Sequence, residues 1–191
     1  MKFINEYLDI TGRKLINSKS NLPLLFALFL GCNALANPTG TGTSWVDESI
    51  PILSIGNKHR QAEAWGMCSA VNKIASETFG GDMPAMAKNY NDRANGAAIA
   101  AGMTYYVKGQ NKNLYTPDQM QASWILSQNM AKSIPEVQLN AIMAQLETSD
   151  NQTWMYNLTA TLRTCDSNLD GQQFYIDFWR ELAGSGLLKL K

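Results

Sequence analysis

"KHRQAEAWGMCSAVNKIASETF", residues 58–79, decides the fold class. Trp65, Cys68, Val71, Ala75 and Phe79 recur at three or four residues, which puts them on one face of a helix. Gly80 and Gly81 then stop the pattern. The same period returns downstream, so the expected architecture is all-α: a small bundle of five or six helices with one intramolecular disulfide, filling residues 58–186.

Working outward, Asp82 and Pro84 read as the start of a second helix carrying Met86, Tyr90, Ala94, Ala97, Ala101 and Tyr105 on one side. Its small residues Gly96, Ala97, Ala100 and Ala101 would let another helix approach closely, so positions 94–102 are the candidate apolar groove for a partner. Thr116-Pro117-Asp118-Gln119 is a capping box with proline at the first helical position, leading into Met120, Trp124 and Ala131. Ser133-Ile134-Pro135-Glu136 repeats that signal and predicts a new helix with Leu139, Ile142, Met143 and Leu146. A third box at Ser149–Gln152 opens a helix with Met155, Leu158, Leu162 and Cys165. The last helix is expected from about Asp170, burying Phe174, Phe178 and Leu182 and ending at Gly184, with residues 187–191 as a tail.

Upstream of the quoted helix, residues 37–57 are rich in Gly, Thr and Pro and read as a flexible lead-in. Its Trp45, Ile50, Ile52, Leu53 and Ile55 strap over the core, with a short strand at 52–55 as one option. Before that, "LPLLFALFLGCNALA" (Leu22–Ala36) is uncharged and apolar, follows Arg13, Lys14 and Lys19, and ends in the small-x-small pattern Ala34-Leu35-Ala36. Residues 1–36 therefore read as a signal peptide, with the protein periplasmic or secreted. The alternative is a lipoprotein anchored at Cys32, because "LFLGC" (28–32) is an imperfect lipobox. Translation from Leu15 would give a more compact signal.

Either route leaves Cys68 and Cys165, and an even pair in an oxidising compartment reads as a disulfide. Beyond residue 36 the chain is slightly acidic, since the first 36 residues hold four basic and two acidic side chains of an otherwise balanced total. Without a basic stripe, nucleic acid is not an expected partner. No later apolar run is long enough for a transmembrane helix.

"DSNLDGQQFYID", residues 166–177, carries the sharpest chemical pattern. Asp166, Asn168, Asp170, Gly171 and Asp177 fall on positions 1, 3, 5, 6 and 12 of a calcium loop, with Gln172 supplying a backbone carbonyl at position 7. These twelve residues resemble an EF-hand loop, or a dockerin-type loop in having Asp at the last position. The resemblance implies a calcium site that stiffens the end of the bundle, with no enzymatic role. The departures are Gln173 where a branched apolar residue is usual and the lack of a second loop. The same residues also make an ordinary turn between helices, with Asp170 and Gln173 as a capping box.

Other chemistry is sparse. His59 is the single histidine and lies on the polar approach to the first helix. No nucleophile motif occurs, so no catalytic residue is nominated and the chain reads as non-enzymatic. Glu77 and Asp82 flank the Gly-Gly turn and are the faint trace of a carboxylate hydrolase. Met83 and Met86, with Met67 and Met103, have a spacing that can hold Cu(I), although methionine is also a common core filler. Asn151 and Asn157 head glycosylation sequons and are expected to stay bare behind a bacterial signal. No cofactor is called for apart from the calcium alternative. The expected function is protein or peptide binding, as in an accessory, inhibitor or immunity factor. The alternatives are a calcium-stabilised module and an exported hydrolase.

Overall fold

A computed structural model describes residues 43–108 and 116–188. The expected signal peptide, Cys32, residues 37–42 of the lead-in and 189–191 of the tail lie outside the described residues. Among the described residues the protein is all-α, with five helices and no strand. They are α1 (Lys58–Phe79), α2 (Pro84–Lys108), α3 (Pro117–Thr148), α4 (Asn151–Asp166) and α5 (Leu169–Gly184). No helix among them is long and apolar enough to cross a membrane.

α1 is the core element. Asn57 caps it by accepting from the N–H groups of His59 and Arg60, and Trp65, Cys68, Val71, Ala75 and Phe79 are buried as the periodicity demands. α2 lies along it, and α3 packs on both. The approach is close because glycines stand at the crossings. A Cβ on Gly66 would lie 2.5 Å from Ile134 of α3, and one on Gly102 would overlap the Ser127 carbonyl of α3. Gly96 admits Gln172 of α5 in the same way. Positions 94–102 are thus covered by the chain's own helices, and Ala97, Ala100 and Ala101 are fully buried. The groove expected there for a partner does not exist.

The disulfide joins Cys68 in α1 to Cys165 at the end of α4, with Cα atoms 5.5 Å apart, as the cysteine count implied. It fastens α4 to the core, where Met155, Leu158 and Leu162 are also buried.

Four local expectations need correction. Pro135 does not start a helix: α3 runs 32 residues straight through it. The proline removes one backbone hydrogen bond, yet Ala131 and Ile134 before it are packed on Gly102 and Gly66, and Gln138 beyond it also reaches Gly66. Tertiary packing therefore carries the helix across. Residues 52–54 form a single 3₁₀ turn rather than a strand, closed by Ser54 N–H to Pro51 O. α4 is capped by Asp150, which accepts from Thr153 N–H, one residue later than the Ser149 box. In α5 the buried residues are Gln172 and Tyr175, while Phe174 is 55% exposed. The notch at Gly96 seats Gln172 and so turns the helix by one residue.

Candidate functional site

The twelve residues of the calcium pattern are almost entirely helical. α4 continues through Asp166, Ser167 and Asn168 make the turn, and α5 begins at Leu169. Asp170 and Asp177 are two turns apart on one helix, about 10 Å along its axis. The side chains have other partners. Asp166 pairs with Arg93 of α2. Asn168 Oδ1 accepts from Ile52 N–H at 2.8 Å, and its Nδ2 donates to Thr164 O. Gln172 is buried against Gly96. Asp177 receives Gln173 and Arg180. Gly171 takes no turn conformation; it is helical, and a Cβ there would meet Leu53 at 3.0 Å. Nor is Asp170 a cap: it sits in the first turn of α5, where a carboxylate favours the helix dipole. Among the described residues no group of three or more His, Cys, Asp and Glu is placed to hold a metal ion.

What the turn does build is the seat of the lead-in. Residues 43–55 cross α4 as a strap, held residue by residue. Thr43 N–H donates to Asn157 Oδ1, Trp45 N–H to Thr161 Oγ1, and Ile52 N–H to Asn168 Oδ1. The Thr164 hydroxyl meets Ser44 Oγ at 3.0 Å. Asn157, Thr161, Thr164 and Asn168 recur at four, three and four residues, so one polar side of α4 receives the strap. Val46 and Ile52 are buried beneath it, the Trp45 ring leans on Trp154, and Gln61 Nε2 from α1 donates to Ile52 O.

Between these anchors the strap arches away from α4. The arch leaves a cleft of about 520 Å³, lined by Glu48, Ser49, Ile50, Pro51, Ala160, Arg163, Thr164, Ser167 and Asn168. Its polar groups are mixed in sign. Glu48 Oε1 lies 3.3 Å from the Thr164 hydroxyl, and no ion pair joins Glu48 to Arg163. At the crown of the arch the Ser49 hydroxyl and N–H both donate to Asp47, holding its carboxyl below the usual carboxylate range. Ile50 and Pro51 stand exposed on one wall. The apolar line continues through Leu53, which is 40% exposed above Gly171, to Phe174 one helical turn further along α5.

The remaining sequence candidates are scattered. His59 Nδ1 is 2.6 Å from the Tyr105 hydroxyl, with Lys58 over the same ring. Burial and the Glu63 charge raise the Tyr105 pKa. Met86 and Met103 are seventeen residues apart on α2, roughly 25 Å, and Met103 is a core residue beside the Ser127 hydroxyl. Of the calcium candidates, Asn168 alone lines the cleft. Sequence reading passed over Glu48, Arg163 and Thr164. Asn157, Thr161, Thr164 and Asn168 do share a helical spacing, but the solvated face of any surface helix shows the same period, so no signal in the sequence singled them out.

No family model, no curated protein and no solved structure matches the chain.

Proposed function

We propose that the protein is an exported, non-enzymatic helical domain that binds a protein or peptide partner, and that the partner lies across the strap cleft and its apolar rim. One observation carries this reading. Ile50 and Pro51 are exposed on the wall of a cleft of hydroxyl, amide and charged groups, with Leu53 and Phe174 exposed on the neighbouring surface, whereas the exposed Met86, Ile125, Leu126 and Val137 lie on α2 and α3, away from that cleft. Exposed aliphatic and aromatic side chains next to hydrogen-bonding groups are the elements from which a protein-binding surface is built. Such a rim and open cleft suit an extended chain better than an enclosed small molecule.

Export is supported by the apolar stretch Leu22–Ala36 and agrees with the Cys68–Cys165 bridge, which persists in an oxidising compartment. Whether the chain is released or held by a lipid at Cys32 follows from which of the two processing signals is read.

The test is site-directed photocrosslinking in the cell envelope, with the probe placed at Ile50 or Phe174 and, as control, at Val137 of α3. Val137 is 62% exposed but lies off the rim. A defined adduct from the rim positions and none from Val137 supports the reading. Equal labelling from all three positions, or none from any, overturns it.

A further inference from the structure

The strap is a ligand that the chain supplies to itself, and everything that recognises it lies on other elements. It is met by the side chains of Asn157, Thr161 and Thr164 of α4 and of Asn168 in the turn that follows, at separations of 114 to 120 residues. Its carbonyls at Ile52 and Ile55 are met by Gln61 of α1 and Lys108 of α2. Leu53 drops onto Gly171 of α5. Apart from the 3₁₀ turn and short links such as Ser49 to Asp47, the strap makes little structure of its own. The acceptor surface, by contrast, is tied to the core by the α1–α4 disulfide.

We propose that the strap is exchangeable between copies, so that residues 43–55 of one chain occupy the α4 seat of a second and the reverse, giving a reciprocal dimer. The occupant is defined because the seat already fits one sequence, and each copy carries that sequence. The linker permits the exchange. Ile55 and Asn57, on either side of Gly56, are extended, and Gly56 has no heavy atom within 4 Å of where a Cβ would lie. The strap therefore joins α1 through an already open segment rather than a closed turn. The order of the chain favours it too. A chain emerging from its N-terminus presents the strap first and α4 more than a hundred residues later. Among chains emerging together, a neighbour's seat is chemically identical to the strap's own. Exchange of an identical element between protomers is a low-cost route to a dimer. This inference does not rest on the partner proposed above: it follows from how the strap is held in its seat, although Leu53, Thr164 and Asn168 belong to both surfaces.

The contact of Leu53 with Gly171 provides the trap. A sulfur replacing Leu53 Cγ would stand 3.0 Å from a Cβ at position 171, close to disulfide spacing. Two singly substituted chains, Leu53→Cys and Gly171→Cys, are exported from the same cell and digested without reduction. A peptide joining positions 53 and 171 then comes only from two different chains. The expected result is that linked peptide, at a level that rises with expression, with a matching dimer in light scattering of the unsubstituted protein that persists on dilution. The double variant, linked within one chain, shows that the trap closes. If it closes while the paired single variants give no 53–171 link, the proposal is overturned. Monomer alone in light scattering at every expression level overturns it irrespective of the thiols.

Discussion

Asn168 Oδ1 accepts the N–H of Ile52 at 2.8 Å across 116 positions of chain, and Ile52 is fully buried. One amide thus ties the turn between the last two helices to the strap that covers it. Replacing Asn168 by leucine leaves the Ile52 N–H without its acceptor, at a cost of about 1–3 kcal/mol. Asn168→Asp keeps an acceptor and should lose less. Urea unfolding of the two variants beside the parent checks the order.

The 166–177 stretch is expected to ignore calcium. Its carboxylates are held apart on helices, and Asp166 is already paired with Arg93. Titration after chelator treatment, followed by calorimetry and tryptophan fluorescence, should stay flat to millimolar calcium. Trp179 is stacked on Trp124 and would report any rearrangement of α5. Asp166→Ala should cost no more than about 1 kcal/mol, the range for a partly exposed ion pair. Saturable binding lost in Asp166→Ala and Asp177→Ala would contradict this arrangement.

Removing the disulfide should hurt far more. The bridge spans 97 positions, for which chain entropy alone suggests about 4–5 kcal/mol, with measured losses commonly 2–5. Thermal melts of Cys68→Ala/Cys165→Ala should show the loss. Adding reductant to the parent should reproduce most of it.

Two glycines separate contact from conformational freedom. Gly102→Ala drives a methyl at the Ser127 carbonyl and to within 2.8 Å of Ala131 Cβ. Overpacking of this kind costs about 1–3 kcal/mol. Gly56→Ala meets nothing within 4 Å and its φ is not positive. That substitution should be neutral or raise stability by up to about 1 kcal/mol through the unfolded chain. Melting temperatures of the pair should move in opposite directions or by clearly unequal amounts.

These positions also show where sequence legibility ends. Helical period, the Thr116 box and the cysteine pair are local or arithmetic signals, and α1, the start of α3 and the disulfide follow from them. Pro135 looked like a boundary because propensity is local, whereas its helix is carried by contacts of Ala131 and Ile134 with glycines on other helices. Gly171 looked like a turn residue because a glycine kept for contact with Leu53 and one kept for a bend are the same letter. The strap was visible as apolar residues, but its seat was not. The partners lie more than a hundred residues away, and Asn157, Thr161, Thr164 and Asn168 had no reason to be read together until α4 was placed beneath residues 43–55.

The central claim is that the exposed rim of the strap cleft engages a partner, and Phe174 tests it most directly. Its ring is 55% exposed, so Phe174→Ser should leave the melting temperature within about 2 °C of the parent, as surface changes of under 0.5 kcal/mol do. The partner recovered by crosslinking should bind this variant at least about tenfold more weakly, the loss expected for an aromatic anchor at an interface. Val137→Ser should bind as the parent does. Equal affinity for Phe174→Ser and the parent, with both folded, would contradict the account.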